Sequence, residues 1–245
     1  MKGRVAVVTG ASSGLGEAVA RALAEGGARV AVVARRAERL EKLADEIGGQ
    51  AVRADLLDVD RVGEVIGGVV DALGAPEILV NAAGHVFTDE RAEDEPPDAV
   101  LKAFQLHVMA PFRMAQAVFP HMRAIGRGAI VNVSSISGRV GVPGIPQASY
   151  AASKTALSGL TVELAVQWAR HSIRVNALAP GFFASEITQP LYEGERGRAW
   201  LERNTPLPYA GRVDDFVGAV LWLVSDAGRY VTGQTIVVDG GWTAR

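Results

Sequence analysis

Six short runs of β-branched and aliphatic residues recur along the chain and constrain its fold more than any other feature. They are RVAVV from Arg4, RVAVV again from Arg29, EILV from Glu77, AIVNV from Ala129, IRVNAL from Ile173 and TIVVD from Thr235. Continuous apolar runs this short suit strands covered on both faces. Between them lie segments of helical periodicity. LGEAVARALAEGG ends in Gly26 and Gly27, where a helix C-cap is expected, and the segment from Tyr150 spaces Leu157, Leu160, Leu164 and Trp168 by three and four. Strands alternating with helices predict βαβ units with right-handed crossovers, hence an α/β fold with a doubly wound parallel β-sheet flanked by helices on both faces. No linker or repeat beyond the doubled RVAVV divides the chain, so residues 1–245 are expected to form a single domain. The least regular stretch, 181–200, interrupts the alternation just after a strand.

Composition excludes several functions. The net charge is -2 without a basic tract, so there is no footprint for nucleic acid. Absence of cysteine removes disulfides, thiolate catalysis and cysteine-ligated metals. The four histidines, His85, His107, His121 and His171, have no helical ligand spacing, and no metal is expected. No signal peptide and no apolar stretch of about 18 residues is present, so the expected location is cytoplasmic, with no membrane partner.

Ligands of open α/β sheets bind beyond the carboxyl ends of the strands, which gathers the loops beginning at Thr9, Asn81, Ser134 and Gly181 into one candidate site. The first reads TGASSGLG, between a strand and a helix. Its glycines allow close backbone approach, and the helix N-terminus offers N–H groups to phosphate. The second strand ends VVARR, with Ala34 where an acid would bond the ribose of NAD, then Arg35 and Arg36. Guanidinium pairs with a 2′-phosphate, which favours NADP.

In YAASK, Tyr150 and Lys154 stand four residues apart with only small side chains between them. On a helix both point at the same volume, and a fixed cation there would lower a phenol pKa from about 10 toward the working range.

With these motifs in this order, together with NAAG from Asn81, APG from Ala179 and VDGG from Val238, the whole chain resembles the short-chain dehydrogenase/reductases of the single-domain, Rossmann-like type. The resemblance implies Tyr150 as acid in carbonyl reduction and base in alcohol oxidation. Lys154 would lower the Tyr150 pKa and bond the nicotinamide ribose, and Ser135 would polarise the substrate oxygen. It further implies a cofactor site of Gly10, Ser12, Ser13, Gly14, Leu15, Gly16, Arg35, Arg36, Asp55, Leu56, Asn81, Ala82, Gly84, Tyr150, Lys154, Pro180, Gly181, Phe183 and Ser185. Asp55 would follow the third strand and bond the adenine. Ser185 stands where the family often has a threonine on the carboxamide.

Two positions depart from the family pattern. His107 aligns with an asparagine that helps hold a water in a proton relay; histidine can donate and accept there, or it packs on an apolar face with Phe104 and Val108. The usual serine-to-tyrosine spacing is thirteen, which Ser137 satisfies, whereas Ser135 lies fifteen before Tyr150. Ser135 is preferred because a loop absorbs two residues more readily than a strand end does.

The leading expectation is an NADPH-dependent carbonyl reductase acting on a small molecule, a 3-ketoacyl-type or other ketone. The alternatives are an NAD(H)-dependent sugar-acid or polyol dehydrogenase of the same family, and a non-catalytic dinucleotide-binding regulatory protein. A cover at about 181–205 is expected to use Phe182, Phe183, Ile187, Leu191, Tyr192 and Trp200, with Arg196 or Arg198 as a cation for a sugar acid and His85 at the pocket. Helices from about Leu101 to Met122 and from Tyr150 to Arg170 carry surplus apolar residues, which with the family habit implies a homotetramer; Trp242 is a candidate for a second interface.

Overall fold

The structure, a computed structural model, describes residues 1–183, 188–209 and 211–244. Its strands are β1 (Val5–Thr9), β2 (Arg29–Ala34), β3 (Gln50–Arg53), β4 (Pro76–Asn81), β5 (Gly128–Val133), β6 (Ile173–Pro180) and β7 (Thr235–Val238). They form one parallel seven-stranded sheet in the order β3-β2-β1-β4-β5-β6-β7. The helices are α1 (Gly14–Glu25), α2 (Ala37–Ile47), α3 (Val62–Leu73), α4 (Pro97–Phe104), α5 (Ala110–Ile125), α6 (Ala148–Trp168), α7 (Gln189–Glu193), α8 (Glu195–Asn204) and α9 (Val213–Val224).

Alternation along each strand divides the core in two. Ala6 and Val8 of β1 pack with Leu23 of α1, Leu40 of α2 and Phe216 of α9. Val5 and Val7 face the other way, with Ile66 of α3, Met114 of α5 and Trp168 of α6. Strand residues are buried in both layers, which is why most strands read as short apolar runs. Both edge strands, β3 and β7, are half-buried; TIVV of β7 still reads as an apolar run, whereas QAVR of β3 does not.

Strand order reverses between β1 and β4, so the loops after these strands part at the carboxyl end of the sheet and leave a crevice. The helix expected from Leu101 to Met122 is instead two helices joined by a π-helical turn, Gln105–Met109. Pro111 lacks the N–H that would bond the His107 carbonyl, and the Ala110 N–H bonds the Gln105 carbonyl five residues back. α6 starts two residues before Tyr150. The segment read as irregular contains α7 and α8. Trp242, expected at an interface, is instead buried in its own chain, beside Phe182 and Trp200 at ring distances of 4.8 Å.

Candidate active site

The glycine-rich turn is held by contacts that require glycine. Gly10 has φ +69°, and a Cβ there would lie 2.7 Å from the Ala83 backbone; one on Gly16 would lie 2.4 Å from the Gly10 carbonyl oxygen. Thr9 Oγ1 accepts the N–H groups of Ala82 at 3.1 Å and Ala83 at 3.2 Å, tying this turn to the one after β4. Ser13 is the N-cap of α1 without a side-chain capping bond, and Gly14, Leu15 and Gly16 open the helix, leaving first-turn N–H groups for an anion. Arg36 donates from Nε to Ser12 Oγ at 3.0 Å and from Nη2 to Ser13 Oγ at 2.6 Å. A guanidinium thus stands beside this turn, next to exposed Arg35 and the small Ala34. Such a donor set fits a dinucleotide with an extra phosphate on its ribose.

Asp55 is exposed and accepts the Leu57 N–H at 3.1 Å, and Leu56 beside it is buried. Asn81 Nδ2 donates to Asn132 Oδ1 at 2.9 Å, and Asn132 Nδ2 donates to Thr161 Oγ1 at 2.9 Å. The sheet centre is thereby tied to α6. Asn81 Oδ1 is buried without a hydrogen bond among the described residues, an acceptor available to a ligand. Neither Asn132 nor Thr161 stands out from sequence.

Tyr150 and Lys154 share one face of α6, with Lys154 Nζ 5.6 Å from the centre of the Tyr150 ring. Lys154 is buried, and its ammonium donates to the Val133 carbonyl at 2.7 Å. Burial lowers its pKa to about 7. Tyr150 differs from the expectation: burial raises its pKa, and the nearby Ser135 hydroxyl only partly opposes this. The ammonium is turned to the end of β5, so the lowering expected from Lys154 is not found. Ser137, the other candidate serine, accepts Gln147 Nε2 at 2.9 Å, and its N–H donates to Ser135 Oγ at 3.1 Å.

His107 lies in the π turn and is fully buried. Its ring meets Tyr150 edge to face at 5.3 Å, not Phe104, which is exposed. Burial, with Lys154 and His85 nearby, pushes its pKa down to about 2, so it does not titrate near neutrality. His85 is exposed beside Phe87, with ring centres 5.0 Å apart. Ser153, read from sequence only as a small spacer inside YAASK, lies 2.8 Å from His107 Nδ1.

Pro180 ends β6, and the Gly181 N–H donates to the Val238 carbonyl at 2.9 Å. A Cβ on Gly181 would lie 2.8 Å from Asp239. The Phe183 side chain does not belong to a cover: it is buried against Phe216 of α9, so only its backbone is left for a cofactor. Ser185 and Ile187 lie outside the described residues. Phe182 and Trp200 do meet, edge to face at 5.3 Å, and the Tyr192 hydroxyl donates to the Phe182 carbonyl at 2.6 Å. Arg198 bonds the Tyr192 and Glu193 carbonyls, at the end of α7, while Arg196 is exposed.

A glycine-rich turn at a helix N-terminus and a Ser–Tyr–Lys group lie at the carboxyl end of one parallel sheet, an arrangement that suits a nucleotide-dependent enzyme. A family profile described as enoyl-(acyl carrier protein) reductase matches residues 10–243. The chain is 37% identical to gluconate 5-dehydrogenase of Gluconobacter oxydans over 251 residues, covering 99% of this chain and 96% of that protein. It is 38% identical over 249 residues to a 3-oxoacyl-(acyl-carrier-protein) reductase of Thermotoga maritima, covering 98% of each. Among solved structures, a gluconate 5-dehydrogenase from Burkholderia cenocepacia in complex with NADP and tartrate superposes with a TM-score of 0.92 at 35% identity, covering 100% of this chain and 97% of that one. The chain belongs to the short-chain dehydrogenase/reductase family, oxidoreductases acting on CH–OH and C=O groups.

Proposed function

We propose that this protein is an NADP(H)-dependent oxidoreductase that interconverts a small carbonyl compound and its secondary alcohol, with Tyr150 as acid and base. The observation that carries the reading is the buried Lys154 ammonium 5.6 Å from the Tyr150 ring on one face of α6, with Ser135 close enough to act on the phenol. A phenol whose pKa is raised keeps its proton at neutral pH, which suits donation to a carbonyl oxygen during reduction. Ser135 orients that oxygen toward the phenol. Lys154 supplies positive charge when an alkoxide or phenolate forms. When bound, the nicotinamide dinucleotide supplies the hydride. Its phosphates are assigned to the first turn of α1, its extra phosphate to Arg36 with Ser12 and Ser13, and its adenine to Asp55 and Leu56. Gly84, Pro180, Gly181 and the Phe183 backbone border the nicotinamide, in this reading with Ser185. The Burkholderia relative, whose complex holds NADP, supports this cofactor.

The relatives act on sugar acids and on acyl-carrier thioesters, which defines the substrate panel. Among the described residues no helix is long and apolar enough to cross a membrane. The proposed setting is cytoplasmic, as a homotetramer. Leu101 and Val166, exposed by 68% and 72% on α4 and α6, support association.

The test is reduction of a ketogluconate, a ketoacyl thioester and a diketone, with NADPH and with NADH, by the wild type and by Tyr150→Phe. Expected is NADPH-dependent turnover of at least one carbonyl, lost in Tyr150→Phe while NADPH binding persists. Binding of NADPH without turnover of any carbonyl would instead favour a dinucleotide-binding protein without chemistry.

A further inference from the structure

Sequence leaves His107 between a relay position and a packing residue, and the structure surrounds it with a directed chain of hydrogen bonds. Its Nε2 accepts the His85 backbone N–H at 3.2 Å. An imidazole nitrogen that accepts carries no hydrogen, so the hydrogen of the neutral ring sits on Nδ1. Nδ1 lies 2.8 Å from Ser153 Oγ, and Ser153 Oγ donates to the Tyr150 carbonyl at 2.8 Å. Each donor therefore points one way: His85 N–H to the ring, the ring to Ser153, Ser153 to the backbone of Tyr150.

Resting on the function proposed above, we infer that His107 is a positioning residue, a clamp fixed in one tautomer that ties the turn after β4 to the helix carrying Tyr150, and that it relays no proton. A proton on Nε2 would set two donors, the ring and the His85 N–H, against each other in a buried place with no acceptor between them. The charged and titratable groups facing the ring are Lys154 and Tyr150 from α6 and His85 from the turn. Burial first, and then the Lys154 ammonium, oppose an imidazolium, and the pKa of about 2 agrees. What the clamp holds is the edge of the site. A Cβ on Gly84 would lie 3.6 Å from Lys154 Nζ and 3.8 Å from His107 Nε2, so the accepting nitrogen and the ammonium flank the same point of the turn. Fixing the His85 N–H fixes Gly84 over Lys154, together with the wall made by His85 and Phe87.

The experiment combines nitrogen-15 NMR of imidazole-labelled protein with kinetics of His107→Asn and His107→Gln. Subtracting the His107→Asn spectrum assigns the His107 signals among the four histidines. The expected ring has Nδ1–H and a bare Nε2 and does not titrate from about pH 5 to 9. An Nε2–H tautomer, or titration within that range, overturns the clamp. This readout needs no substrate, so it stands or falls apart from the proposed reaction. In kinetics, glutamine places an amide oxygen near the position of Nε2 and keeps the acceptor for His85, whereas asparagine reaches only toward Ser153. His107→Asn should raise KM roughly fivefold, the worth of one hydrogen bond, and His107→Gln should restore most of it, with the pH profile of kcat unmoved in both. A drop in kcat with a shifted pH limb in both variants would make the ring a proton relay instead.

Discussion

The Lys154 ammonium donates to the carbonyl of Val133 at 2.7 Å, joining α6 to the last residue of β5 inside the molecule. Burial lowers the folded-state pKa to about 7 from an ordinary value of 10.5. Below pH 7 the lysine is charged whether folded or unfolded, and its desolvation weakens the fold in full. Between pH 7 and about 10 the unfolded chain binds the extra proton, so stability rises with pH and the deficit fades. Lys154→Met should accordingly stabilise the ligand-free protein at pH 6 by on the order of a few kcal/mol, with a gain that shrinks through pH 8 and is nearly gone at pH 10. Denaturant unfolding at the three pH values checks this. A gain independent of pH would mean that the buried amine carries no charge even at pH 6.

The two serines after β5 should separate cleanly. Ser135 acts on the Tyr150 phenol, partly opposing its raised pKa, while Ser137 accepts from Gln147. Ser135→Ala should lower kcat by about 10- to 100-fold, in keeping with loss of a polarising donor. Ser137→Ala keeps the phenol contact and should stay within about threefold, since it loses one neutral hydrogen bond at the loop. Steady-state kinetics of both variants decides, and the reverse ranking would move the role to Ser137.

Cofactor choice should rest on Arg36 more than on Arg35, because Arg36 bonds both Ser12 and Ser13 of the phosphate turn. Charge-assisted hydrogen bonds contribute about 1.5–3 kcal/mol, so Arg36→Ala should weaken NADPH by about 10- to 100-fold and leave NADH nearly unchanged. Paired titrations of both nucleotides measure the ratio. Equal weakening of the two would place Arg36 in the shape of the turn rather than in phosphate recognition.

These contrasts also show what a one-dimensional reading can see. Strands such as β1 and β5 are buried on both faces and announce themselves as apolar runs, but half-buried β3 carries the polar Gln50 and Arg53 in QAVR and has no such mark. The spacing of Tyr150 and Lys154 places them together, since helical geometry is local. The sign of the Tyr150 shift was not legible, because it is set by how deeply the packed chain buries the phenol, while the ammonium expected to oppose it is held by a carbonyl 21 residues earlier in the chain. Ser153 looked like a spacer for the same reason: its partner, His107, is 46 residues away. Pro111 did carry a signal for the break before α5, through the donor it lacks. Phe183 read as a loop aromatic, yet α9 offers it a place in the core.

Trp242 near the C-terminus should control the segment over the site. Its ring lies 4.8 Å from both Phe182 and Trp200, and Phe182 immediately follows Gly181 at the end of β6. Asp239 fixes the turn below it by accepting the N–H groups of Gly241 and Thr243, each at 2.8 Å. Trp242→Ala removes the buried ring that Phe182 and α8 share, and truncation of a buried aromatic costs about 3–5 kcal/mol where the site cannot collapse. Here the neighbours, Phe182, Ile136, Val142 and Trp200 of α8, form a small cluster apart from the two main cores, so part of the cost should appear as loosening of α8. Expected are a KM raised by about tenfold or more, for want of a pre-ordered wall, and a smaller change in NADPH affinity, since the phosphate turn lies elsewhere. Trp242→Phe keeps an aromatic partner and should recover most of both stability and KM. Thermal unfolding read beside substrate and cofactor titrations separates the outcomes: a large loss of stability with unaltered KM would show that the cluster serves the fold alone.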